Sequence, residues 1–280
     1  MSGWRCRGVR WVGRQAVWLW EGGRSSGLRY GQELAFGVVG ERRCLGARGN
    51  PCPVAAVVGA RSTAGVCGEC ARLDRMHSVA ADTAVDDPRV FRVYLAWFGD
   101  GLVKVGITGE ERGDARLLEQ GAVAFTWLGR GALMAARRTE EVLGAALGVP
   151  DRIPYAVKRL ARVELPGADA RAGEVARLHQ SAMAVAEWGD TLEPMALDVR
   201  DHFEVFGLQG PDRVDGVVSE LVEGGGLRGT LLAAAGPDLH LLSGDGRQVV
   251  LDSRLVRGWE LAGGGQEVSL PVVAVQRGLF

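Results

Sequence analysis

The chain has 280 residues, of which 47% are hydrophobic and 24% are charged, and its net charge is −1. This composition is typical of a globular protein, and the 42 glycines and 10 prolines are too few for a collagen-like or disordered chain. No apolar run approaches the roughly 18 residues of a membrane-spanning helix, and the run at 16–20 is too short for a secretion signal. We therefore expect one or two domains, no membrane contact and a cytoplasmic location.

Residues 1–43 are predicted to form short strands separated by glycine-rich turns. Tryptophans and arginines alternate there, at Trp4, Trp11, Trp18, Trp20 and at Arg5, Arg7, Arg10, Arg14. Residues 1–75 carry twelve arginines and five acidic residues, whereas residues 190–280 carry seven arginines and fourteen acidic residues. Aromatic stacking combined with positive charge is typical of single-stranded nucleic-acid binding. The alternative is that the tryptophans lie in a core and the arginines face solvent.

Four cysteines follow in a segment with little periodicity: Cys44, Cys52, Cys67 and Cys70. Four thiolates can close a tetrahedral zinc site, and the last pair has the spacing of a zinc knuckle. A reducing cytoplasm also favours metal over disulfides. We therefore predict a structural zinc ion at these cysteines. A redox pair at Cys67 and Cys70 is the alternative, and His77 could replace one cysteine as a ligand.

A hairpin followed by helices is predicted next. Strands at 93–98 and 102–107 flank a Gly-Asp-Gly turn, which favours an antiparallel hairpin. The pattern continues with a helix at 110–119, a strand at 122–128 and helices at 132–147, 155–164 and 169–187. Polar side chains recur at positions that such a unit could bring together: Tyr94, Lys104, Thr108, Arg116 and Glu140.

These residues resemble the GIY-YIG endonuclease superfamily. The tripeptide Val93-Tyr94-Leu95 is similar to its first signature, and residues 104–108, Lys-Val-Gly-Ile-Thr, are similar to its second in the branch that carries lysine there. Together with the upstream cysteines, these motifs resemble an uncharacterised prokaryotic family of unknown function. The resemblance implies an antiparallel sheet flanked by helices for the central domain.

The resemblance also implies roles for the matching positions. Tyr94 would help to activate the attacking water, Arg116 would hold the scissile phosphate, and Glu140 would bind a divalent cation, Mg²⁺ or Mn²⁺. These groups suit phosphodiester cleavage, which needs a positioned nucleophile, positive charge on the phosphate oxygens and a Lewis acid. Lys104 could bind phosphate or favour ionisation of a neighbouring phenol. Whether Tyr94 and Lys104 face one pocket depends on the strand register.

Neighbouring residues leave alternatives open. Arg112 competes with Arg116 for the phosphate, because the interval after Gly106 is long, and Glu141 competes with Glu140. Gly106 would let the backbone approach a phosphate closely. Thr108 and Arg112 are further phosphate-binding candidates.

The last part of the chain is predicted to form a small β domain, with strands at 203–208, 230–234, 239–242, 249–251 and 272–275. The predicted fold class is α+β in three parts: an N-terminal β and zinc-binding module at 1–80, a GIY-YIG-like domain at 88–190 and the β domain at 196–280. The predicted function is metal-dependent cleavage of nucleic acid, DNA or RNA. The alternatives are a non-catalytic nucleic-acid-binding protein and an enzyme that uses this core on a nucleotide-like small molecule.

Overall fold

The structure is a computed structural model that describes residues 3–76, 87–185, 192–265 and 267–275. The chain divides into two compact units. The first unit takes in the chain up to residue 83 and from residue 207 onward, and the second unit takes in residues 84–206. Each unit has its own sheet, and helices accompany both, so the α+β fold class is confirmed.

The N-terminal part of the first unit has four strands and one helix among its described residues. They are β1 (Trp4–Val12), β2 (Gln15–Trp20), β3 (Ser25–Gly27), β4 (Glu33–Val39) and α1 (Gly68–Met76). The hairpin of β1 and β2 turns at Gly13, whose φ of 57° suits glycine. Between β4 and α1 the cysteine segment is held by turns and isolated bridges.

The second unit has five strands and four α-helices among its described residues. Its elements are β5 (Phe91–Trp97), β6 (Val103–Gly109), α2 (Ala115–Gln120), β7 (Ala124–Gly131), α3 (Leu133–Leu147), α4 (Tyr155–Ala161), α5 (Ala168–Met183), β8 (Glu193–Pro194) and β9 (Arg200–Asp201). The sheet order is β6-β5-β7-β8, with β9 also on β7, and the pairs are antiparallel. The predicted hairpin of β5 and β6 is therefore present, and β5 lies between β6 and β7 in the sheet.

The register of β5 and β6 decides which side chains share a face. Tyr94 lies opposite Gly106, and Ala96 lies opposite Lys104. Because side chains alternate along a strand, Tyr94 and Lys104 point to the same face and are diagonal neighbours. Tyr94 also belongs to a hydrophobic cluster that includes Phe125.

Two predicted elements of this region differ from the structure. The pattern predicts one helix over 110–119, whereas a 3₁₀ turn at Glu110–Arg112 is followed by α2. Gly113 separates them with φ 52° and ψ −133°, which no helix contains. The strand predicted at 203–208 is a series of turns instead. The last residues of the helix predicted at 169–187 lie outside the described residues.

The C-terminal part of the first unit adds six strands: β10 (Gly216–Val218), β11 (Gly226–Ala235), β12 (Asp238–Leu242), β13 (Gln248–Asp252), β14 (Glu260–Gly263) and β15 (Val272–Ala274). The sheet order is β15-β10-β13-β12-β11-β4-β14-β1-β2-β3. The strands from the two ends of the chain therefore interleave.

This interleaving changes the predicted domain organisation. The sequence pattern separates residues 1–80 from residues 196–280, but β4 lies between β11 and β14 and hydrogen-bonds to both. A strand paired on both edges cannot be removed without breaking the sheet. The two terminal segments are thus one unit, and the pairing joins residues too distant in sequence for a local pattern to reveal it.

No helix in the described part of the chain combines the length and the apolar character needed to cross a membrane.

Candidate functional site

Three stretches of the first unit carry the four cysteines. Cys44 follows β4, and its N–H donates to the Ala56 carbonyl at 2.8 Å, which ties the two sides of the intervening loop together. Cys52 lies within that loop. Cys67 immediately precedes α1, and Cys70 is in the first turn of this helix. The last pair therefore lies at the N-terminal end of α1.

Backbone groups organise the sulfur atoms. The Cys44 Sγ accepts hydrogen bonds from the N–H of Gly46 at 3.4 Å and from the N–H of Cys67 at 3.1 Å. Gly46 has φ 81°, and a Cβ at this position would overlap the Asn50 carbonyl oxygen. Glycine is thus required for the turn that brings the Cys44 sulfur toward Cys67.

The cluster has the size of a four-sulfur metal site. The four Sγ atoms all lie within 4.8 Å of one another, and all four residues are free cysteines. In a tetrahedral zinc site with Zn–S bonds of about 2.3 Å, the sulfurs would be about 3.8 Å apart. The longest sulfur–sulfur distance would therefore shorten by at most about 1 Å around such an ion. Cys44 and Cys70 are 6% and 4% exposed, so two of the sulfurs are shielded from solvent.

The ionisation of the cluster also fits a cation. Hydrogen bonds from the backbone of Ala56 and Val54 lower the pKa of Cys52 to about 7. Burial, reinforced by the neighbouring thiols, raises the pKa of Cys70 far above its usual value. One sulfur ionises readily while another keeps its proton, so a cation held by all four sulfurs as thiolates would release protons when it binds. The cluster could therefore hold a metal ion such as zinc. His77 lies outside the described residues.

Arg42 anchors the cysteine segment and is not signalled by any motif in the sequence. Its side chain is buried, at 1% exposed, and the guanidinium donates to five backbone carbonyls. The acceptors are Arg257 (2.8 Å), Gly59 (2.7 Å), Ala60 (3.3 Å), Ser62 (2.6 Å) and Arg254 (3.2 Å). Arg42 therefore joins the loop beyond Cys52 to the chain between β13 and β14.

A second group of predicted residues lies in the second unit, around Tyr94. The phenol is buried, at 1% exposed, and its oxygen accepts a hydrogen bond from Gln120 Nε2 at 2.7 Å. Burial raises the pKa of Tyr94, while Gln120 and the charge of Arg116 lower it and the charge of Glu140 raises it. Residues from β5, α2 and α3 thus share one electrostatic environment.

Lys104 and Glu140 belong to the same environment. Burial lowers the pKa of Lys104, and the charge of Glu140 opposes that shift. Burial raises the pKa of Glu140, and Lys104 opposes it while Asp151 adds to it. The Lys104 Nζ donates to the backbone carbonyl of Asp151 at 2.6 Å. The structure therefore brings Tyr94, Lys104, Arg116 and Glu140 together, although they come from four different elements.

The remaining predicted residues have different surroundings. A Cβ at Gly106 would overlap the Tyr94 hydroxyl, so the Tyr94 ring explains the glycine without any phosphate. The Thr108 hydroxyl is buried and has no hydrogen-bond partner among the described residues. Arg112 is exposed and forms an ion pair with Glu119 at 2.7 Å. Glu141 is exposed, whereas Glu140 is half-buried.

Two residues of this group have no counterpart in the sequence prediction. Gln120 is the last residue of α2, and Asp151 follows α3 after a Val-Pro pair. Neither belongs to a recognisable motif. The packing of α2 places Gln120 against Tyr94, and the loop after α3 places Asp151 against Lys104. Because these contacts depend on tertiary packing, no sequence pattern identifies the two residues.

Comparison with known proteins gives one family. Neither the curated proteins nor the solved structures that were searched gave a match. The family described as "Protein of unknown function (DUF2797)" matches residues 31–261, a span that includes the four cysteines and every predicted site residue of the second unit. Because this match covers more than half of the 280 residues, the chain belongs to that family.

Proposed function

We propose that the second unit is a GIY-YIG-like nuclease that cleaves phosphodiester bonds in nucleic acid with the help of a divalent cation. The observation that carries this proposal is the convergence of Tyr94, Lys104, Arg116 and Glu140: the charges of Arg116 and Glu140 act on Tyr94 and Lys104, and the charge of Lys104 acts on Glu140. A mixed group of charges from four elements points to a functional site, since perturbed ionisable residues concentrate at such sites.

The order of elements supports the proposal. The resemblance implies an antiparallel sheet flanked by helices, and β6-β5-β7 is antiparallel, with α2 between β6 and β7 and α3 directly after β7. Tyr94 and Gly106, one from each signature, are opposite each other across the hairpin. The two signature segments thus meet at one place in the sheet. Fold alone does not establish an activity, so the argument depends on the side chains.

Positive charge is available for a phosphate. Arg116 is exposed, and a guanidinium can bind two phosphate oxygens at once. Its neighbour Arg112 is already paired with Glu119, which favours Arg116 for this role. The Lys104 ammonium adds a second positive charge on the same face as Tyr94. Such charges stabilise the additional negative charge on the phosphate oxygens as water attacks.

Glu140 has the surroundings of a cation ligand. Its half-buried carboxylate lies near the carboxylate of Asp151, and this proximity contributes to its raised pKa. A site with one or two carboxylates that leaves the other positions to water and phosphate suits Mg²⁺ or Mn²⁺. When bound, the cation would supply Lewis-acid activation of the leaving oxygen.

Tyr94 would act by holding the attacking water. Because burial raises its pKa, the phenol keeps its proton at neutral pH in the resting protein. A neutral phenol can both accept and donate a hydrogen bond. It already accepts one from Gln120, so it can donate one to water and fix its direction of attack. Hydrolysis then forms a bond from the water oxygen to phosphorus, breaks one phosphorus–ester bond, and transfers the water proton to the leaving oxygen.

We propose further that the cysteine cluster binds zinc with a structural role. Four sulfur ligands leave no open position for a substrate, and two of the four cysteines are buried. The cluster joins the loop after β4 to α1, so the ion would stabilise the first unit and not take part in cleavage.

The decisive experiment compares paired variants. Labelled single-stranded and double-stranded DNA and RNA are incubated with the full chain, with and without Mg²⁺ or Mn²⁺. Arg116→Ala and Glu140→Gln should abolish cleavage. The matched controls Arg112→Ala and Glu141→Gln change the same residue types nearby and should retain it. Equal loss in a variant and its control, or activity that needs no divalent cation, would contradict the assignment.

A second function, nucleic-acid binding without cleavage, is favoured by one observation. Tyr94 is almost fully buried and the Lys104 ammonium is engaged by the Asp151 carbonyl, which limits the access of water to the phenol, whereas Arg116 is exposed and can still bind a phosphate. A binding protein would show affinity that falls with salt and no cleavage under any metal condition. A chain that neither binds nor cleaves nucleic acid would contradict both functions.

A further inference from the structure

The first unit carries a pocket lined by aromatic rings that the proposed nuclease site does not use. A cavity of about 430 Å³ is lined by Trp4, Trp18, Trp20 and Phe36 among others. The Trp18 and Trp20 rings are stacked with their centroids 5.9 Å apart, and Trp4 meets Trp20 edge to face at 6.4 Å. Trp4 is 42% exposed, so part of its indole ring is open to solvent. The volume lies within the usual range of small-molecule pockets and accommodates a planar base.

Arginines continue from this pocket along the surface. Arg24 lies over the Trp4 ring, with its guanidinium carbon 4.3 Å from the ring centroid. A second cavity of about 440 Å³ shares Trp4 with the first and is lined by Arg5 and Arg24. A third cavity of about 330 Å³ shares Arg5 with the second and is lined by Arg7 and Arg43. The second cavity thus shares a lining residue with each of the other two.

The charge of this path is positive. Four arginines line the second and third cavities, and their acidic lining residue is Glu21. The Arg5–Glu21 pair is long, at 3.9 Å, so neither group is tightly held. In the first cavity, Glu33 is near Arg228, at 3.5 Å. Phosphate groups could therefore bind at Arg5 and Arg24 without displacing a short ion pair among the described residues, whereas at Arg43 they would compete with its ion pair to Glu41.

We propose that this surface, formed by Trp4, Trp18, Trp20, Arg5, Arg7, Arg24 and Arg43, binds single-stranded nucleic acid independently of the second unit. One or two bases stack in the tryptophan pocket, and the sugar–phosphate backbone follows the arginines toward the cysteine cluster. A duplex is excluded as the main ligand because its base faces are already stacked. An apolar peptide is disfavoured because arginines and not aliphatic side chains continue the path. The combination of stacking platform and basic groove is the general solution for single strands.

The test measures binding of a fluorescent oligothymidylate of about twelve nucleotides, a length in the range of known single-strand sites. The full chain carries Glu140→Gln and no divalent cation is added, so that cleavage cannot interfere. Trp4→Ala should weaken binding by roughly fivefold to 150-fold, the range measured for loss of one stacking partner. Arg24→Gln, a change on the surface, should weaken binding and reduce the slope of log affinity against log salt by about 0.7. Arg14→Gln, an exposed arginine outside the three cavities, is the matched control and should bind as the parent does.

Four outcomes would overturn the proposal. These outcomes are absence of binding by the parent, unchanged affinity in both Trp4→Ala and Arg24→Gln, equal affinity for a duplex, and equal affinity for thymidine monophosphate, which would indicate a nucleotide pocket. Loss of binding in Arg116→Ala with full binding in Trp4→Ala would assign the nucleic acid to the second unit instead. Failure of the nuclease assay leaves these measurements intact, so the two proposals fail separately.

Discussion

Replacing Arg42 by methionine should destabilise the first unit more than any change to an exposed arginine. Methionine keeps most of the side-chain length but cannot donate hydrogen bonds. The five carbonyls that Arg42 serves lie in two segments, residues 59–62 and residues 254–257. The substitution therefore removes all the hydrogen-bond donors of a side chain that is only 1% exposed.

The expected loss follows from these bonds. A hydrogen bond to a charged group contributes about 1.5–3 kcal/mol, but bonds from one guanidinium are not additive. Burial lowers the pKa of Arg42 to about 10, because keeping a charged guanidinium out of water costs free energy. Replacing Arg42 by methionine removes this cost and so offsets part of the loss in stability. We therefore expect a net loss of about 3–5 kcal/mol, similar to the breaking of a buried ionic contact. This corresponds to a fall in melting temperature of roughly 10 °C.

Urea and thermal denaturation measure this effect, with Arg43→Met as the control. Arg43 is the next residue and is more exposed; it donates to the Ala55 carbonyl and to Glu41, so its loss should cost less than about 1 kcal/mol. The metal content of Arg42→Met should also fall, because the junction supports the loop that contains Cys52. Equal stability of the two variants would refute the argument that the five bonds hold this segment.

Four further predictions follow from the two candidate sites. Protein purified without added metal should contain about one zinc ion per chain by elemental analysis, and Cys52→Ser should lower both zinc content and melting temperature; a freshly isolated protein with no metal would contradict this. Tyr94→Phe should slow single-turnover cleavage by roughly 10²–10⁴ with little change in binding, and full activity would reduce this tyrosine to a packing residue. In the folded protein the pKa of Glu140 is raised, so its ionisation opposes folding above the pKa that it has in the unfolded chain. Glu140→Gln should therefore have a higher melting temperature than the parent at pH 7, and this difference should vanish as the pH falls below about 4.5. Thr108→Val should leave thermal stability unchanged or raise it, because the hydroxyl has no partner among the described residues, and a marked loss of stability would show that it has one.

Several features of this protein were predictable because their signals are local. The spacing of Cys44, Cys52, Cys67 and Cys70 points to one cluster, and their sulfurs do lie within 4.8 Å of one another. The Gly-Asp-Gly turn defines the hairpin of β5 and β6, whose strands start and end close to the predicted residues. In each case the signal lies within a short segment of the chain, where residue type and spacing directly restrict the backbone conformation.

The composition of the site in the second unit was only partly predictable. Tyr94, Lys104, Arg116 and Glu140 are identified by their order along the chain. Their convergence depends on the register of β5 with β6 and on the packing of α2 and α3, and a shift of one residue would point Lys104 to the opposite face. Gln120 and Asp151 complete the group through a hydrogen bond and a charge that no motif announces.

The amino-acid sequence by itself determined the fold class, the hairpin and the four-cysteine cluster, because periodicity, turn residues and thiol spacing act over short distances. Only the tertiary structure decided that β4 pairs with β11 and β14, so that the two ends of the chain share one sheet. It also decided that Arg42 is a buried junction and that three tryptophans line one pocket. These outcomes depend on pairing energies between segments up to about two hundred residues apart, which are set by the whole fold and leave no local pattern.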